Sequence, residues 1–286
     1  MTMYDPFITA VNTERATLNW IDTLTQNTAN LFTPGFRERR AMFADFLTGV
    51  QAMPDSYKAE QGKAVPGRSS SNMMIEGKGW FAVRKPDGKL LFTRLGDFHF
   101  DAGGTLVNEL GYKLQGYMTD EKGNVLGVGP IQASNNNVAN SPNNPSSKQG
   151  GTGFVGTTDV NLWLDPSNGK FFGKFDEYKV KADGTVEGKA DDGKVSVPLY
   201  KIAVVNFANP QGLVEAEDNF YLPTENSGRP LEGSGEVRSG VLETSNADIR
   251  ELVDYLQQAK LSLDMSNKLL TTNKSLLTTS LGLLGQ

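Results

Sequence analysis

Hydrophobic residues near the C-terminus recur every seven positions. A spacing of seven is close to two helical turns, so these side chains form one narrow stripe along an α-helix. A capping box of Ser245 and Asp248 predicts where the helix begins, and a helix from Asp248 to Leu281 is about 50 Å long. The stripe consists of Ile249, Leu256, Leu263, Leu270, Leu277 and Leu284.

The second row of the same helix, three residues further on, starts at Leu252 and then turns small and polar. Apolar residues appear instead on the other flank, at Leu269, Leu276 and Leu283. Each leucine left in water forfeits roughly 1.5–3 kcal/mol, so this helix needs a helical partner. The second row comprises Leu252, Ala259, Ser266, Asn273 and Ser280.

Residues 4–31 carry a second helical pattern, with apolar residues spaced by three, four and seven. One interpretation is a local amphipathic helix lying on a domain core. The interpretation that we favour pairs both chain ends as a coiled coil, because both carry long stripes and the middle has a β pattern. The apolar residues are Phe7, Ile8, Val11, Leu18, Ile21, Leu24 and Leu31.

The first helix is predicted to break at Thr33-Pro34-Gly35-Phe36. Proline disfavours the helical conformation of the residue before it, and glycine permits a sharp turn. A short helical pattern with Met42 and Phe46 then completes an N-terminal helical segment, residues 1–50. Residues 51–71, rich in proline, glycine and serine, are predicted to form an extended connector.

From residue 72 the apolar period changes to that of β-strands, with short turns such as Pro86-Asp87-Gly88 between them. This pattern predicts an antiparallel sandwich or barrel over residues 72–240. Within it, the low-complexity residues 134–153 predict a mobile loop, and residues 119–175 are interpreted as a small inserted outer domain. The fold class is therefore α+β: long N- and C-terminal helices paired as a coiled coil, the C-terminal one within 241–286, with a β-rich body inserted between them.

Composition excludes several classes of function. The net charge of −5 and the scattered basic residues argue against nucleic acid, and the absence of cysteine excludes thiolate chemistry. No secretory signal follows Met1, and no run of about 18 apolar residues predicts a membrane span. The single histidine, His99, has no evident catalytic partner. We therefore predict no enzymatic activity, no metal and no cofactor.

Several blocks of the sequence resemble bacterial flagellar rod and hook proteins, the axial family of the basal body. The first block, Ala29-Asn30-Leu31-Phe32-Thr33-Pro34-Gly35-Phe36, is similar to the N-terminal signature of that family. Two departures are Gln26-Asn27-Thr28 in place of a fuller Asn-Asn-Leu form, and Gln258-Ala259-Lys260-Leu261 in place of Gln-Arg-Ala-Tyr. The other similar blocks are residues 74–81, 92–98, 101–107, 111–116, 204–213, 219–221 and 240–246.

The resemblance implies a structural subunit that polymerises into a helical tube and transmits torque between motor and hook. It further implies export by the flagellar apparatus without a cleaved signal, a place in the periplasm-spanning basal body, and contacts with other axial proteins. The modest length favours a rod subunit, and a hook subunit is the alternative. A secreted adhesion module on a coiled-coil stalk is a third hypothesis, which would need Trp163 and Phe171-Phe172 at its surface.

The predicted assembly interface lies on both terminal helices and on the turn after the first. A solitary helical stripe is marginally stable in water, so folding of the ends is expected to be coupled to polymerisation. The residues of this interface are Val11, Leu18, Ile21, Leu24, Asn27, Asn30, Leu31, Pro34, Gly35, Phe36, Ile249, Leu252, Leu256, Leu263, Leu270, Leu277 and Leu284.

Overall fold

A computed structural model of the protein describes residues 6–46, 49–120, 122–126, 156–162, 177–190, 195–217 and 219–284. The chain divides into two compact units. We call Met1–Glu60 with Ser245–Gln286 the terminal unit, and Gln61–Thr244 the body. The chain thus enters the body once and leaves it once, and both of its ends belong to the other unit.

The terminal unit contains two helices, α1 (Pro6–Ala29) and α2 (Ile249–Leu284). Both were predicted from apolar periodicity, and both predictions are confirmed. At 1.5 Å per residue the 36 residues of α2 span about 54 Å, against about 36 Å for the 24 residues of α1. The C-terminal helix is therefore longer by 12 residues, about three turns.

A β-hairpin follows α1. Strand β1 (Arg39–Phe46) pairs antiparallel with β2 (Gly49–Tyr57), with Phe43 opposite Ala52. The predicted short helix around Met42 and Phe46 was therefore wrong. A short apolar run fits either period, and here pairing with β2 and packing against α1 selected the strand.

The body is built of short strands. The strands predicted from residues 73–118 are confirmed. The strands are β3 (Ala64–Pro66), β4 (Met73–Glu76), β5 (Trp80–Arg84), β6 (Leu90–Thr93), β7 (His99–Phe100), β8 (Leu106–Val107), β9 (Lys113–Met118), β10 (Thr158–Asp159), β11 (Glu177–Val180), β12 (Thr185–Ala190), β13 (Val195–Ile202), β14 (Val204–Asn206), β15 (Val214–Glu217), β16 (Phe220–Leu222), β17 (Leu231–Glu232), β18 (Glu236–Ser239) and β19 (Val241–Glu243).

The main sheet of the body runs in the order β11-β12-β13-β9-β5-β6-β16-β15, with antiparallel pairing. Its central strand β5 is buried on both faces, since Phe81, Ala82 and Val83 are all inaccessible to solvent. Aromatic rings pack edge to face in this core, with the Phe81 and Phe98 centroids 5.5 Å apart. Gly96 permits the tight packing because a Cβ there would lie 1.6 Å from the carbonyl oxygen of Met73.

The strand predicted over residues 200–207 is divided in two. Strand β13 pairs with β9 and β12, whereas β14 pairs with β5 and β17. Between them the amide of Ala203 donates to the carbonyl of Gln115 at 3.0 Å. Buried apolar residues occur in both halves, such as Tyr200 and Ile202 in the first and Val205 in the second, although the halves pair with different strands.

The described end of the predicted insertion belongs to the body core. Strand β10 pairs with β9, and Val160 and Leu162 are buried among the body's apolar side chains. Residues 156–162 therefore do not form an outer domain. The predicted mobile loop at 134–153, together with Trp163 and Phe171-Phe172, lies outside the described residues.

Candidate assembly interface

The two helices of the terminal unit meet along rows that hold small residues and one leucine each. Ala10, Thr17 and Leu24 on α1 are buried, as are Leu252, Ala259 and Ser266 on α2. Each row has a spacing of seven, so each is a straight stripe along its helix. The helices run antiparallel, because Ala10 lies beside Ser266 while Leu24 packs with Leu252.

The contacts between the two helices are polar at one end of this seam and apolar at the other. At one end the Ser266 hydroxyl donates to the carbonyl of Ala10 at 2.8 Å, and the hydroxyls of Thr17 and Ser262 are 3.1 Å apart. At the other end Leu24, Leu252 and Ala259 form a small apolar cluster, which Trp20, Ile21, Leu31, Ala247, Tyr255 and Leu256 border. Small side chains let the helix backbones approach closely where the contact is polar.

The leucine row predicted as the seam of α2 lies on one flank of the contact. Leu256, Leu263 and Leu270 are half-buried, and Ile249 is 56% exposed. The side chains of Leu277 and Leu284 lie outside the described residues. The row that sequence reasoning judged small and polar is the one that faces α1.

The predicted interface residues of α1 and of the turn that follows it also differ in burial. Leu24 and Asn27 are buried, Val11, Ile21, Asn30 and Leu31 are half-buried, and Leu18 is 48% exposed. No described contact brings Leu18 or Ile249 into the helix seam, so their assembly role stays a prediction. Pro34 is half-buried, whereas Gly35 and Phe36 are buried.

Asn27 joins α1 to the hairpin. Its side-chain amide donates to the carbonyl of Arg39 at 2.7 Å, and its oxygen accepts from the amide of Arg39 at 2.9 Å. A buried amide without hydrogen bonds would reduce stability by about 1–3 kcal/mol. Asn27 has no exposed surface, and its two hydrogen bonds to Arg39 avoid that cost. Asn27 therefore has a structural role within one subunit.

The turn after α1 closes through local hydrogen bonds. The Asn30 side chain donates to the carbonyl of Gln26 at 2.9 Å and accepts from the hydroxyl of Thr33 at 3.0 Å. Gly35 has a φ of 67°, which favours glycine. Phe36, only 2% exposed, anchors the segment that follows.

Asn246 was not among the predicted interface residues, yet it ties three segments of the terminal unit together. Its oxygen accepts from the amide of Glu38 at 2.6 Å, and its amide donates to the carbonyls of Lys58 and Glu60 at 3.1 and 2.7 Å. The one feature of the sequence that pointed to Asn246 was its position at the end of residues 240–246, the last block that resembles rod and hook proteins. Asn246 therefore holds the chain just before α2 against Glu38 and against the segment that follows the hairpin.

A lysine between two carboxylates lies next to Asn246. The Lys58 ammonium is 3.1 Å from Glu38 and 3.0 Å from Glu251, and the Glu38 side chain is only 1% exposed. Burial disfavours the charged ammonium, but hydrogen bonds to Glu251 and Glu38 outweigh it and raise the pKa of Lys58. The Lys58 side chain thus links α2 to the segment that follows α1.

Helix α2 begins at Ile249, one residue after the predicted start at Asp248, and its cap lies three residues after the predicted cap Ser245. Asp248 is the cap, and its carboxylate accepts from the amide of Arg250 at 2.8 Å. The Ser245 hydroxyl instead accepts from the amide of Ala247 at 3.2 Å, so it does not cap α2. The bond from the Arg250 amide lowers the pKa of Asp248.

A buried ion pair in the body holds its first and last segments together. The Arg94 guanidinium is 3.5 Å from Glu243, and both side chains are almost fully buried. The Glu243 carboxylate also accepts from the amide of Gly62 at 3.0 Å and from the side chain of Gln61 at 3.3 Å. The residues where the chain enters and leaves the body are thereby joined.

The described residues offer no cluster of three or more metal-ligating side chains, and within them no helix is long and apolar enough to cross a membrane. His99 lies on β7, opposite Val107 on β8, as the strand prediction expected.

Comparison with known proteins connects this architecture to the flagellum. Residues 74–188 match the family model described as the flagellar hook protein FlgE/F/G D1 domain. The chain is 24% identical over 284 residues to the flagellar basal-body rod protein FlgG of Buchnera aphidicola subsp. Acyrthosiphon pisum, covering 89% of this chain and 90% of that protein. It is also 24% identical over 287 residues to FlgG of Borreliella burgdorferi, covering 90% of each.

A hook protein matches at the same level. The chain is 24% identical to the flagellar hook protein FlgE of Brucella suis biovar 1, covering 97% of this chain and 98% of that protein over 391 aligned positions. The D1 match within the body and the rod and hook matches along most of the chain agree with each other and with the resemblance seen in the sequence. Together these matches support a flagellar axial protein of the rod and hook type.

Proposed function

We propose that this chain is a structural subunit of the flagellar rod, which polymerises through its paired terminal helices into a helical tube. The observation that carries this proposal is the match over nine-tenths of the length of rod proteins. The rod alignments extend over 284 and 287 positions, close to the 286 residues of this chain. The hook alignment needs 391 positions, so a rod subunit is favoured over a hook subunit.

The helix pair is the proposed polymerisation element. Seven-residue spacing on both helices supports a coiled coil formed within each subunit. The half-buried leucines on one flank and the exposed ones on the other leave apolar surface that neighbouring subunits would cover. Packed this way, the subunits would form a stiff tube able to transmit torque from motor to hook.

The remaining parts of the proposal rest on the similarity to rod and hook proteins. Partners are further copies of this chain and other axial proteins, and delivery is by the flagellar export apparatus without a cleaved signal into the periplasm-spanning basal body. The proposed role requires packing surfaces and no catalytic group. No described residue favours the adhesion hypothesis, because its candidate aromatics lie outside the described ranges.

A proline substitution tests the polymerisation element. Leu263→Pro removes a helical hydrogen bond in α2 and costs about 3 kcal/mol or more of helix stability. We expect the variant to stay monomeric under conditions where the wild type forms filaments, as seen by sedimentation and electron microscopy. Leu263→Ala, which preserves the helix, should still polymerise. Filaments formed by Leu263→Pro would contradict the proposal.

Location distinguishes rod from hook. Immunogold labelling of isolated hook–basal bodies is expected to mark the rod, between the motor and the hook. Labelling along the hook would replace the rod assignment by the hook alternative, and labelling absent from the whole structure would contradict an axial role.

A further inference from the structure

A groove of about 710 Å³ follows one side of the helix seam. Its floor is formed by small residues of both helices, including Ala10 and Ser262. Three large apolar side chains of α2 stand along it: Leu261 and Met265 are each 61% exposed, and Leu269 is 58% exposed. The groove exists because small seam residues leave space that the neighbouring leucine and methionine side chains do not fill.

The groove has a distinct chemical character. All ten residues that line it are uncharged, and most of its accessible lining is apolar. A charged peptide or a nucleic acid would gain no ion pair there. Burying its exposed apolar side chains would be favourable, at about 25 cal/mol per Å², so an uncharged apolar segment is the suitable occupant.

The end of α2 has the matching properties. Leu276 is 60% exposed and Leu283 is 73% exposed, and both continue the row of Leu269 at intervals of seven. Beyond Asn273, every side chain of α2 whose position the structure describes is exposed. Residues 270–286 contain one charged side chain, that of Lys274.

This segment cannot fill the groove of its own subunit. Helix α2 is continuous from Ile249 to Leu284, so its end extends along the axis away from the residues that form the groove. The leucine row and the groove are therefore complementary surfaces on different copies. Such a contact joins two different patches, and contacts of that kind repeat into open helical assemblies where the rotation between copies does not close a ring.

We infer that the Leu276–Leu283 row of one subunit docks into the groove lined by Leu261, Met265 and Leu269 of the next. The inference rests on the proposed function and specifies its contact. With all subunits oriented alike, the docked row lies some 15 residues from the groove along α2. Neighbouring subunits would then be offset by roughly 20 Å along the helix axis, from a rise of 1.5 Å per residue.

The absence of native cysteine allows a direct test by disulfide trapping. Size-tagged Met265→Cys subunits are copolymerised with untagged Leu276→Cys or Leu283→Cys subunits and oxidised with copper phenanthroline. Control copolymers carry Ser275→Cys or Thr278→Cys, exposed positions on other faces of the same segment. We expect heterodimer yields at least about fivefold higher for one of the leucine positions than for either control.

A second measurement does not require disulfide geometry. Leu276→Asn removes an exposed leucine and should raise the protein concentration needed for polymerisation at least about tenfold. Ser275→Asn, its neighbour on another face, should leave that concentration within about twofold of the wild type. Both positions are exposed in the subunit, so both variants are expected to fold.

The outcomes separate this inference from the proposed function. Filaments with equal trapping at the leucine and control positions, and with Leu276→Asn polymerising normally, would overturn the docking contact and leave the rod assignment intact. Failure of the wild-type chain to polymerise with itself or with other axial proteins would overturn both.

Discussion

The body and the terminal unit bury their apolar residues in different ways. In the body, large side chains such as Phe81, Phe92, Tyr200 and Phe220 have no exposed surface. Among the described residues of the helix pair, the buried apolar cluster is small, with Leu24, Leu252 and Ala259, and α2 carries exposed leucines along its length. The body has a core of its own, whereas the helix pair has apolar surface that other subunits would have to cover.

Under the proposed function, this contrast would let one chain be stable by itself and still polymerise. A folded core resists change because interiors are closely packed. A helix pair that leaves part of its stripe in water is less stable alone, and most helix stability in proteins comes from tertiary packing. The following variants test the contrast between the two units.

The largest effect is expected in the body core. Phe81→Ala should reduce the free energy of unfolding of the body by about 4 kcal/mol, because it leaves a cavity in the central strand. Urea unfolding followed by tryptophan fluorescence measures it. Phe32→Ala, at a ring that is 90% exposed, should change stability by less than about 0.5 kcal/mol. Equal effects of the two substitutions would contradict the assignment of the core.

The buried ion pair of the body should rank next. Glu243→Gln removes the carboxylate charge that lies 3.5 Å from the buried Arg94 guanidinium, which should cost about 3 kcal/mol. The matched control is Glu76→Gln, because Glu76 pairs with Arg238 at the surface, where both side chains are about half exposed. Exposed pairs contribute at most about 1 kcal/mol. A larger loss for the control in urea unfolding would refute this ranking.

A substitution in the helix seam should have a smaller effect on subunit stability. Ala259 has no exposed surface, so Ala259→Leu overpacks the seam and should cost about 2 kcal/mol. Thermal unfolding of the helices, followed by circular dichroism at 222 nm, measures it. Gln257→Leu adds the same side chain at an exposed position and should be nearly neutral. If both variants melted like the wild type, Ala259 would not lie in the helix contact.

The smallest effect is a pH dependence at the start of α2. The pKa of Asp248 is below its ordinary value in the folded state, so its cap stabilises the helix above the unfolded pKa. That stabilisation is lost as the pH falls through the lowered folded value. Asp248→Asn retains a capping side chain and should lose less helical signal than the wild type between pH 5 and pH 2. An unchanged acid titration would contradict the cap.

The hydrophobic period by itself determined the two terminal helices and most of the strands between them. Seven-residue spacing identified α1 and α2, and alternation with turn residues identified strands such as β5 and β9, because these patterns follow from backbone geometry alone. Blocks such as 29–36 and 240–246 also indicated the family.

Only the tertiary structure decided which side of each helix faces the other. The leucine row and the row of Leu252, Ala259 and Ser266 are both seven-residue stripes, and close backbone approach favoured the smaller side chains. The hairpin β1–β2 likewise depended on a partner strand, and the roles of Asn27 and Asn246 depended on backbone groups distant in sequence. Local pattern specifies elements, whereas packing selects the faces that meet.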